Sequence, residues 1–264
     1  MTIWKLLKVN WHKTIIFNFR LFPFATAIKM PVLLFGKVNT KGTKRGDIEF
    51  ACTPYTGMLR VGYVSVSWAD SSKRTVYQIM GKHVVHGDCA FGAGSVIVVT
   101  KNATLDIGSN VWFNENTKIH CRDKITIGDR CLFAWECQVL DTDFHYLIKD
   151  GVISKNCKPV VISYGTWVGN RVSINKGAVI PPMSVISSNS VVSKDFADEG
   201  TEILLAGMPA KIVRVGCKRA FPKAVGRVKT YDKLLDDIFR EHDVNSISVE
   251  AEMLKELEEF DSFA

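Results

Sequence analysis

From Ile162 to Val192 an aliphatic side chain returns at every sixth position: Ile162, Val168, Ile174, Ile180, Ile186 and Val192. A helix repeats near 3.6 residues and a strand at about 2, so this spacing belongs to a coil built of several short strands rather than to either element alone. Four places after each of the first five stands a small or β-branched one: Thr166, Val172, Ala178, Ser184 and Ser190. One large and one small inward residue per strand is what a narrow triangular interior holds, three strands to a coil and each coil resting on the next. The pattern predicts an all-β solenoid.

The same spacing runs upstream through Val85, Phe91 and Ile97, then Ile107, Phe113 and Ile119, then Ile127, Phe133 and Val139, with short insertions expected at Val99–Asp106 and Arg122–Thr126. Phe in the large slot predicts a slightly widened interior in the early coils. Cys89, Cys131 and Cys137 fall on the small slot and are expected as buried fillers, not nucleophiles. Ile48–Phe50, Met58–Val66 and Thr75–Ile79 alternate between turn signals and read as strands preceding the regular coils.

After Val139 the repeat breaks from Asp141 to Val161 and resumes at Ile162 in phase. A break that leaves both flanks in register is a loop thrown out from a corner, and excursions from rigid scaffolds are where chemistry concentrates.

The ends read differently. Thr2–Phe22 mixes Trp4, Trp11, Ile15, Ile16, Phe17 and Phe19 with lysines and Arg20, and is expected as a helix ending before Pro23. It either covers an end of the solenoid, the stronger reading, or lies on an anionic membrane. Lys229–His242 and Val249–Phe260 carry apolar residues at helical spacing and predict two amphipathic helices. The organisation expected is a helical segment and connector over 1–46, strands and solenoid over 47–195, a tail over 196–216, and helices over 217–264.

Composition narrows the partners. The chain has 264 residues, 47% hydrophobic, enough for one sizeable core. Its net charge of +7 suits a phosphate-bearing ligand, an anionic membrane or nucleic acid alike. No helix-turn-helix, finger spacing or RNA-recognition strand motif is present, so nucleic acid is not expected as a partner. The seven cysteines are odd in number and form no Cys-x-x-Cys pair, which argues against a disulfide framework or structural zinc and for a reducing compartment. Neither a secretory signal nor an apolar run long enough to span a bilayer is read in the sequence, so a cytoplasmic location is expected, with the inner membrane face as a site of contact through residues 2–22.

Of the six histidines, His145 lies inside the extruded loop, in Asp141-Thr142-Asp143-Phe144-His145. An imidazole can take a proton from a hydroxyl near neutral pH, and Asp143, Asp141 and Glu136 are candidates to orient it. His83, His86, His120 and His145 are the available zinc ligands, but no third histidine stands at a matching spacing, so no metal is expected. A second constellation comprises Trp167, Asn170, Ser188, Ser193 and Lys194, followed by Lys211 and Arg214; cations beside hydroxyls and an indole suit a long ligand ending in nucleotide phosphates.

Five stretches carry a family resemblance: Ile127-Gly128-Asp129, Asp-Thr-Asp-Phe-His at 141–145, Gly165-Thr166-Trp167-Val168-Gly169-Asn170, Ser190-Val191-Val192-Ser193-Lys194-Asp195 and Ala206-Gly207-Met208-Pro209-Ala210-Lys211. Over about residues 85 to 214 the chain resembles the hexapeptide-repeat acyltransferases, most of all the capsule and lipopolysaccharide O-acetyltransferases. The resemblance implies a left-handed parallel β-helix with N- and C-terminal helical appendages. It implies acetyl-CoA as cosubstrate, a sugar or glycan acceptor, and a homotrimer with the cofactor groove between subunits. It makes His145 the general base, with Asp143 beside it, and Asn116, Trp135 and Glu136 the acceptor-binding residues. Trp167, Asn170, Ser188 and Ser193 would flank pantetheine, while Lys194, Lys211 and Arg214 face the phosphates. Ser188 stands where many relatives carry alanine, and Pro181-Pro182 replaces a common Ile-Gly. The function implied is O-acetylation of a sugar hydroxyl in surface polysaccharide assembly. Acylation of an amino sugar or xenobiotic, a non-catalytic scaffold and a zinc carbonic anhydrase are the alternatives.

Overall fold

The structure, a computed structural model, describes residues 6–64, 70, 72–220, 235–240 and 246. Its contacts divide the chain into two units, Met1–Arg219 and Ala220–Ala264.

The first unit is built on three sheets whose neighbouring strands lie mostly three apart in chain order, and five apart across the extruded loop, the wiring of a chain that winds repeatedly past three faces. The first face holds β1 (Val32–Leu34), β4 (Leu59–Tyr63), β7 (Cys89–Gly92), β10 (Val111–Phe113), β13 (Leu132–Phe133), β18 (Trp167–Val168), β21 (Val185–Ile186), β23 (Ile203–Gly207) and β24 (Ala210–Val215). The second holds β2 (Val38–Asn39), β5 (Thr75–Ile79), β8 (Val96–Val99), β11 (Lys118–Cys121), β14 (Gln138–Leu140), β19 (Ser173–Ile174) and β22 (Val191–Val192). The third holds β3 (Ile48–Phe50), β6 (Lys82–Val85), β9 (Thr104–Ile107), β12 (Lys124–Ile127), β17 (Val160–Ile162) and β20 (Val179–Ile180). Every pairing within the three faces is parallel except the last, β23 with β24. This arrangement is consistent with a parallel β-helix.

Register explains the sequence period. On the third face Val85, Ile107, Ile127, Ile162 and Ile180 are successive partners, and on the second Ile97, Ile119, Val139, Ile174 and Val192 are. On the first face Phe91, Phe113, Phe133, Val168 and Ile186 form the third column. All of these residues are buried, as are Thr166, Val172, Ala178, Ser184 and Ser190 between them. Phe91, Phe113 and Phe133 stack with centroids 4.9 and 4.4 Å apart, so the aromatics fill a single column. The early coils have room for them because their second- and third-face strands run to four residues, where the last coils have two. The expected insertions at Val99–Asp106 and Arg122–Thr126 each combine a turn with strand: they contain most of β9 and β12.

At the corner between first and second faces a left-handed residue recurs coil after coil: Gly94, Asn116, Glu136, Arg171 and Asn189, with φ between 57 and 74°. Coiling also starts earlier than the pattern predicts. β1 and β2, inside the segment read as a connector, form a first coil with β3, the expected strand Ile48–Phe50; the stretch holding β1 and β2 is too apolar and irregular to show the period.

Helix α1 (Trp11–Leu21) closes this first coil. Its buried Phe17 meets Tyr77 edge-on at 6.5 Å, inside the column. Asn10, Thr14 and Asn18, four residues apart, serve the open edge of β1. The Leu34 N–H donates to Thr14 Oγ1 at 3.0 Å, the Val32 N–H donates to Asn18 Oδ1, and Asn18 Nδ2 donates to the Val32 carbonyl at 2.7 Å. A polar stripe thus pairs backbone that would otherwise template aggregation. The short helix α2 (Phe24–Ala27) follows Pro23.

Of the second unit, residues 235–240 are helical (α3), within the expected 229–242 helix. The remainder of that stretch and Val249–Phe260 lie outside the described residues. Among the described residues no helix is long and apolar enough to cross a membrane.

Candidate active site

The extruded loop leaves the second face after β14 and rejoins the third at β17. Its base is pinned by Asp141, fully buried, whose carboxylate accepts from the backbone N–H of Arg122 at 2.8 Å and of Asp123 at 2.7 Å. Asp141 therefore anchors the loop and does not orient the histidine. Beyond it β15 (Ile148–Lys149) and β16 (Val152–Ile153) form an antiparallel hairpin over Asp150 and Gly151, both at positive φ as a tight two-residue turn requires.

His145 stands exposed near the start of this loop, its backbone N–H donating to the Asp143 carbonyl at 2.7 Å. The Asp143 carboxylate is ion-paired with Lys176, on the neighbouring coil. Phe144 folds back so that its ring meets His120 edge-on, centroids 4.8 Å apart. His120 points outward from the second face; its burial, partly opposed by the Asp141 charge, lowers its pKa from the ordinary value. Lys176 and His120 carry no spacing signal, and sequence reasoning missed both as supports of the loop.

The other expected site residues fall in two places. Trp167 faces outward on the first face, and Asn170 and Ser188 lie at its corner with the second, where the Ser188 hydroxyl hydrogen-bonds Asn170 Oδ1. Lys211 and Arg214 follow on the same face, because the expected tail is a β-hairpin that extends that sheet. Register carries Trp167 through Val185 and Leu204 to Arg214, about 14 Å across three strand spacings. The Arg219 guanidinium lies over the Trp167 ring at 6.0 Å, a further cation that the sequence reading did not single out.

Asn116, Trp135 and Glu136 lie along the same first corner, one and two coils earlier. Asn116 Oδ1 accepts from Lys73 Nζ at 3.2 Å, and Glu136 is ion-paired with Arg171 at 2.8 Å. Glu136 is therefore committed to Arg171 and not to His145. Ser193 and Lys194 instead sit at the second corner, where the chain turns onto the third face: the Val179 N–H donates to the Lys194 carbonyl. Lys194 thus shares a corner with His145. Within one chain the second face lies between this corner and the first corner, where Asn170 and Ser188 sit beside Trp167.

The histidines weighed as zinc ligands are apart. His83 is buried on the third face with Nδ1 2.7 Å from the Tyr77 hydroxyl, His86 pairs with Asp106 at 2.8 Å, and His120 is outward on the second face. Among the described residues no three His, Cys, Asp or Glu side chains gather as metal ligands.

Comparison with known proteins places this architecture. No family model matches the chain. It is 32% identical to galactoside O-acetyltransferase of Escherichia coli K12 over 115 residues, 42% of this chain and 54% of that one. It is 30% identical to a polysialic acid O-acetyltransferase of Escherichia coli O1:K1 over 134 residues, 49% of this chain and 40% of that one. These relatives, and a putative lipopolysaccharide biosynthesis O-acetyl transferase of Escherichia coli K12 at 27% identity, are named as O-acetyltransferases. The chain spans about half the length of the curated relatives it matches. The crystal structure of the polySia specific acetyltransferase NeuO aligns with a TM-score of 0.51 at 22% identity, over 79% of this chain and 89% of that one, a likeness of fold.

Proposed function

We propose that the protein is an acetyl-CoA-dependent O-acetyltransferase acting on a sugar hydroxyl in surface polysaccharide assembly, wound as a left-handed β-helix. The observation that carries the reading is the loop: the coil register that runs from Val85 to Val192 is interrupted at a corner between Val139 and Ile162, and the excursion holds His145 over an anchored base. The named activities of the relatives, on galactosides and polysialic acid, support a glycan acceptor.

In this reading the thioester lies along the first face, with Trp167 against pantetheine and Lys211, Arg214 and Arg219 near the phosphates. His145 takes the proton of the acceptor hydroxyl as its oxygen attacks the thioester carbonyl. The tetrahedral intermediate then collapses, the C–S bond breaks, and the CoA sulfur leaves with the proton returned from the imidazolium. No covalent acyl-enzyme is required.

The separation of His145 from Trp167 within one chain favours a homotrimer in which the loop of one copy meets the first face of the next. The exposed Tyr146, Leu147, Ile148, Val152 and Ile153 of the loop then have an apolar neighbour. Release of CoA thiol with acetyl-CoA and a panel of glycans tests the function. Wild-type turnover lost in His145→Ala, with an unchanged melting curve, supports it; a wild-type protein that releases no CoA with any glycan overturns it.

A further inference from the structure

Helix α1 has two uses in the structure, and only one is explained by the fold. Its inner stripe, Thr14, Phe17, Asn18 and Leu21, closes the first coil. Its outer surface leaves Ile15, Ile16 and Phe19 exposed at 44, 52 and 40%, and the ridge continues through Phe24 at 71% and Ile28 at 53%. Phe19 and Phe24 touch, with ring centroids 6.0 Å apart, so the ridge is continuous. An apolar strip of this length at the N-terminal end of a solenoid is more than scattered surface exposure.

Charge lies along one flank of the strip. A cleft of about 400 Å³ opens between α1 and β2, and its walls include Lys13, Arg20, Lys41 and Arg74 with no carboxylate among them. Arg20 is shared with a second, adjoining hollow lined by Lys44 and Arg45. Six cations therefore border one edge of the apolar ridge. Two of them make only long bonds to backbone carbonyls, Arg20 to Thr43 at 3.5 Å and Arg45 to Phe22 at 3.4 Å, with the Arg20 guanidinium also 5.7 Å from the Phe17 ring centroid.

We propose that this end of the molecule docks on an anionic lipid bilayer, the ridge entering the acyl boundary and the cleft receiving phosphate headgroups. Apolar insertion beside a cationic border is the signature of a helix lying in the interfacial plane, and cations near an anionic leaflet add attraction that falls with salt. Because α1 closes the coil from its end, docking here leaves the three faces and the loop clear of the membrane.

Co-sedimentation of the full-length protein with vesicles tests this independently of turnover. Binding is expected to phosphatidylcholine vesicles containing about one third phosphatidylglycerol, weakened by 0.5 M salt, and not to phosphatidylcholine alone. The triple variant Lys13→Gln, Arg20→Gln, Arg74→Gln should weaken partition by about fivefold for each cation removed. Ile16→Ser with Phe19→Ser should abolish it, with melting curves retained in both. Wild-type protein left in the supernatant with anionic vesicles overturns the proposal, as does a triple variant that binds like wild type. Self-association in lipid-free solution that Ile16→Ser with Phe19→Ser removes would assign the ridge to a second copy and also overturn it.

Discussion

The Asp143 carboxylate is held by Lys176 rather than by the imidazole of His145, two residues further on. The pair ties the start of the loop to the next coil, and so fixes where the histidine can reach. Both partners are partly exposed, so the contact adds little to global stability. Its effect belongs to positioning, where a displacement of about 1 Å can cost two orders of magnitude in rate. Asp143→Asn and Lys176→Ala should each lower kcat by about tenfold to a hundredfold while the melting temperature barely moves. Turnover at the wild-type rate in Lys176→Ala would refute that role.

Asp141 makes the opposite trade. It is fully buried, and its charge is satisfied by backbone N–H groups of a turn on the preceding coil. Asp141→Ala leaves those donors unpaired, and charge-assisted bonds of this kind are worth about 1.5–3 kcal/mol each. A loss of about 2–4 kcal/mol is expected in urea unfolding, together with lost activity. A variant of unchanged stability would show that the turn holds without the carboxylate.

The coil was legible in the sequence because its determinants are local and periodic. The phase of Val85 through Val192 could be read from residue type alone, and every inward position so assigned is buried. Loop 141–161 was legible for the same reason, as a gap in a period. The pairings around it were not. Lys176 answers Asp143 and Arg171 answers Glu136 across 33 and 35 residues, and surface cations at such separations carry no pattern that distinguishes them from solvated ones. Of the first coil only β3 was legible; the edge of β1 is completed by the Asn10, Thr14 and Asn18 side chains at a helix, which no strand periodicity reports.

Acid should weaken the fold through His83. Burial lowers its pKa to about 3 in the folded state, against 6.5 for the free side chain, so between those values the unfolded chain binds a proton that the folded chain refuses. Stability is therefore full above about pH 6.5 and falls progressively as pH drops toward 3. His83→Phe should flatten this portion of the profile of urea midpoint against pH, at the cost of an unpaired Tyr77 hydroxyl. An unchanged acid slope in the variant would exclude His83 as its source.

Thiol chemistry gives a separate reading of the interior. Cys131 and Cys137 have pKa values pushed up by burial, to about 12 and about 11, and burial raises Cys89 and Cys121 as well. Thiolate is the reactive form, so these four should resist alkylation at pH 8 until the protein is denatured. Cys52 is exposed and Cys157 and Cys217 are partly so. Native protein treated with iodoacetamide and mapped by mass spectrometry should be labelled at Cys52 first. Rapid labelling of Cys131 in the native state would mean that the coil opens there.

Trp167 and Arg219 test the cofactor face. The guanidinium over the indole leaves one side of the ring engaged by protein, and the outward register joins the pair to Arg214 along a single sheet surface. A ligand stretched along that surface would lose stacking and phosphate contact at different ends. Trp167→Ala should raise KM for acetyl-CoA by about tenfold, since a lost aromatic contact is worth about 0.5–1.5 kcal/mol beyond its area. Arg214→Gln should also raise it, with an effect that shrinks as salt is increased, because a phosphate contact is screened and an apolar one is not. In neither variant should the pH dependence of kcat move, because neither residue carries the transferred proton. If Trp167→Ala instead lowers kcat at saturating acetyl-CoA and leaves KM unchanged, the thioester does not lie on this face, and the assignment of the first face to the cofactor fails with it.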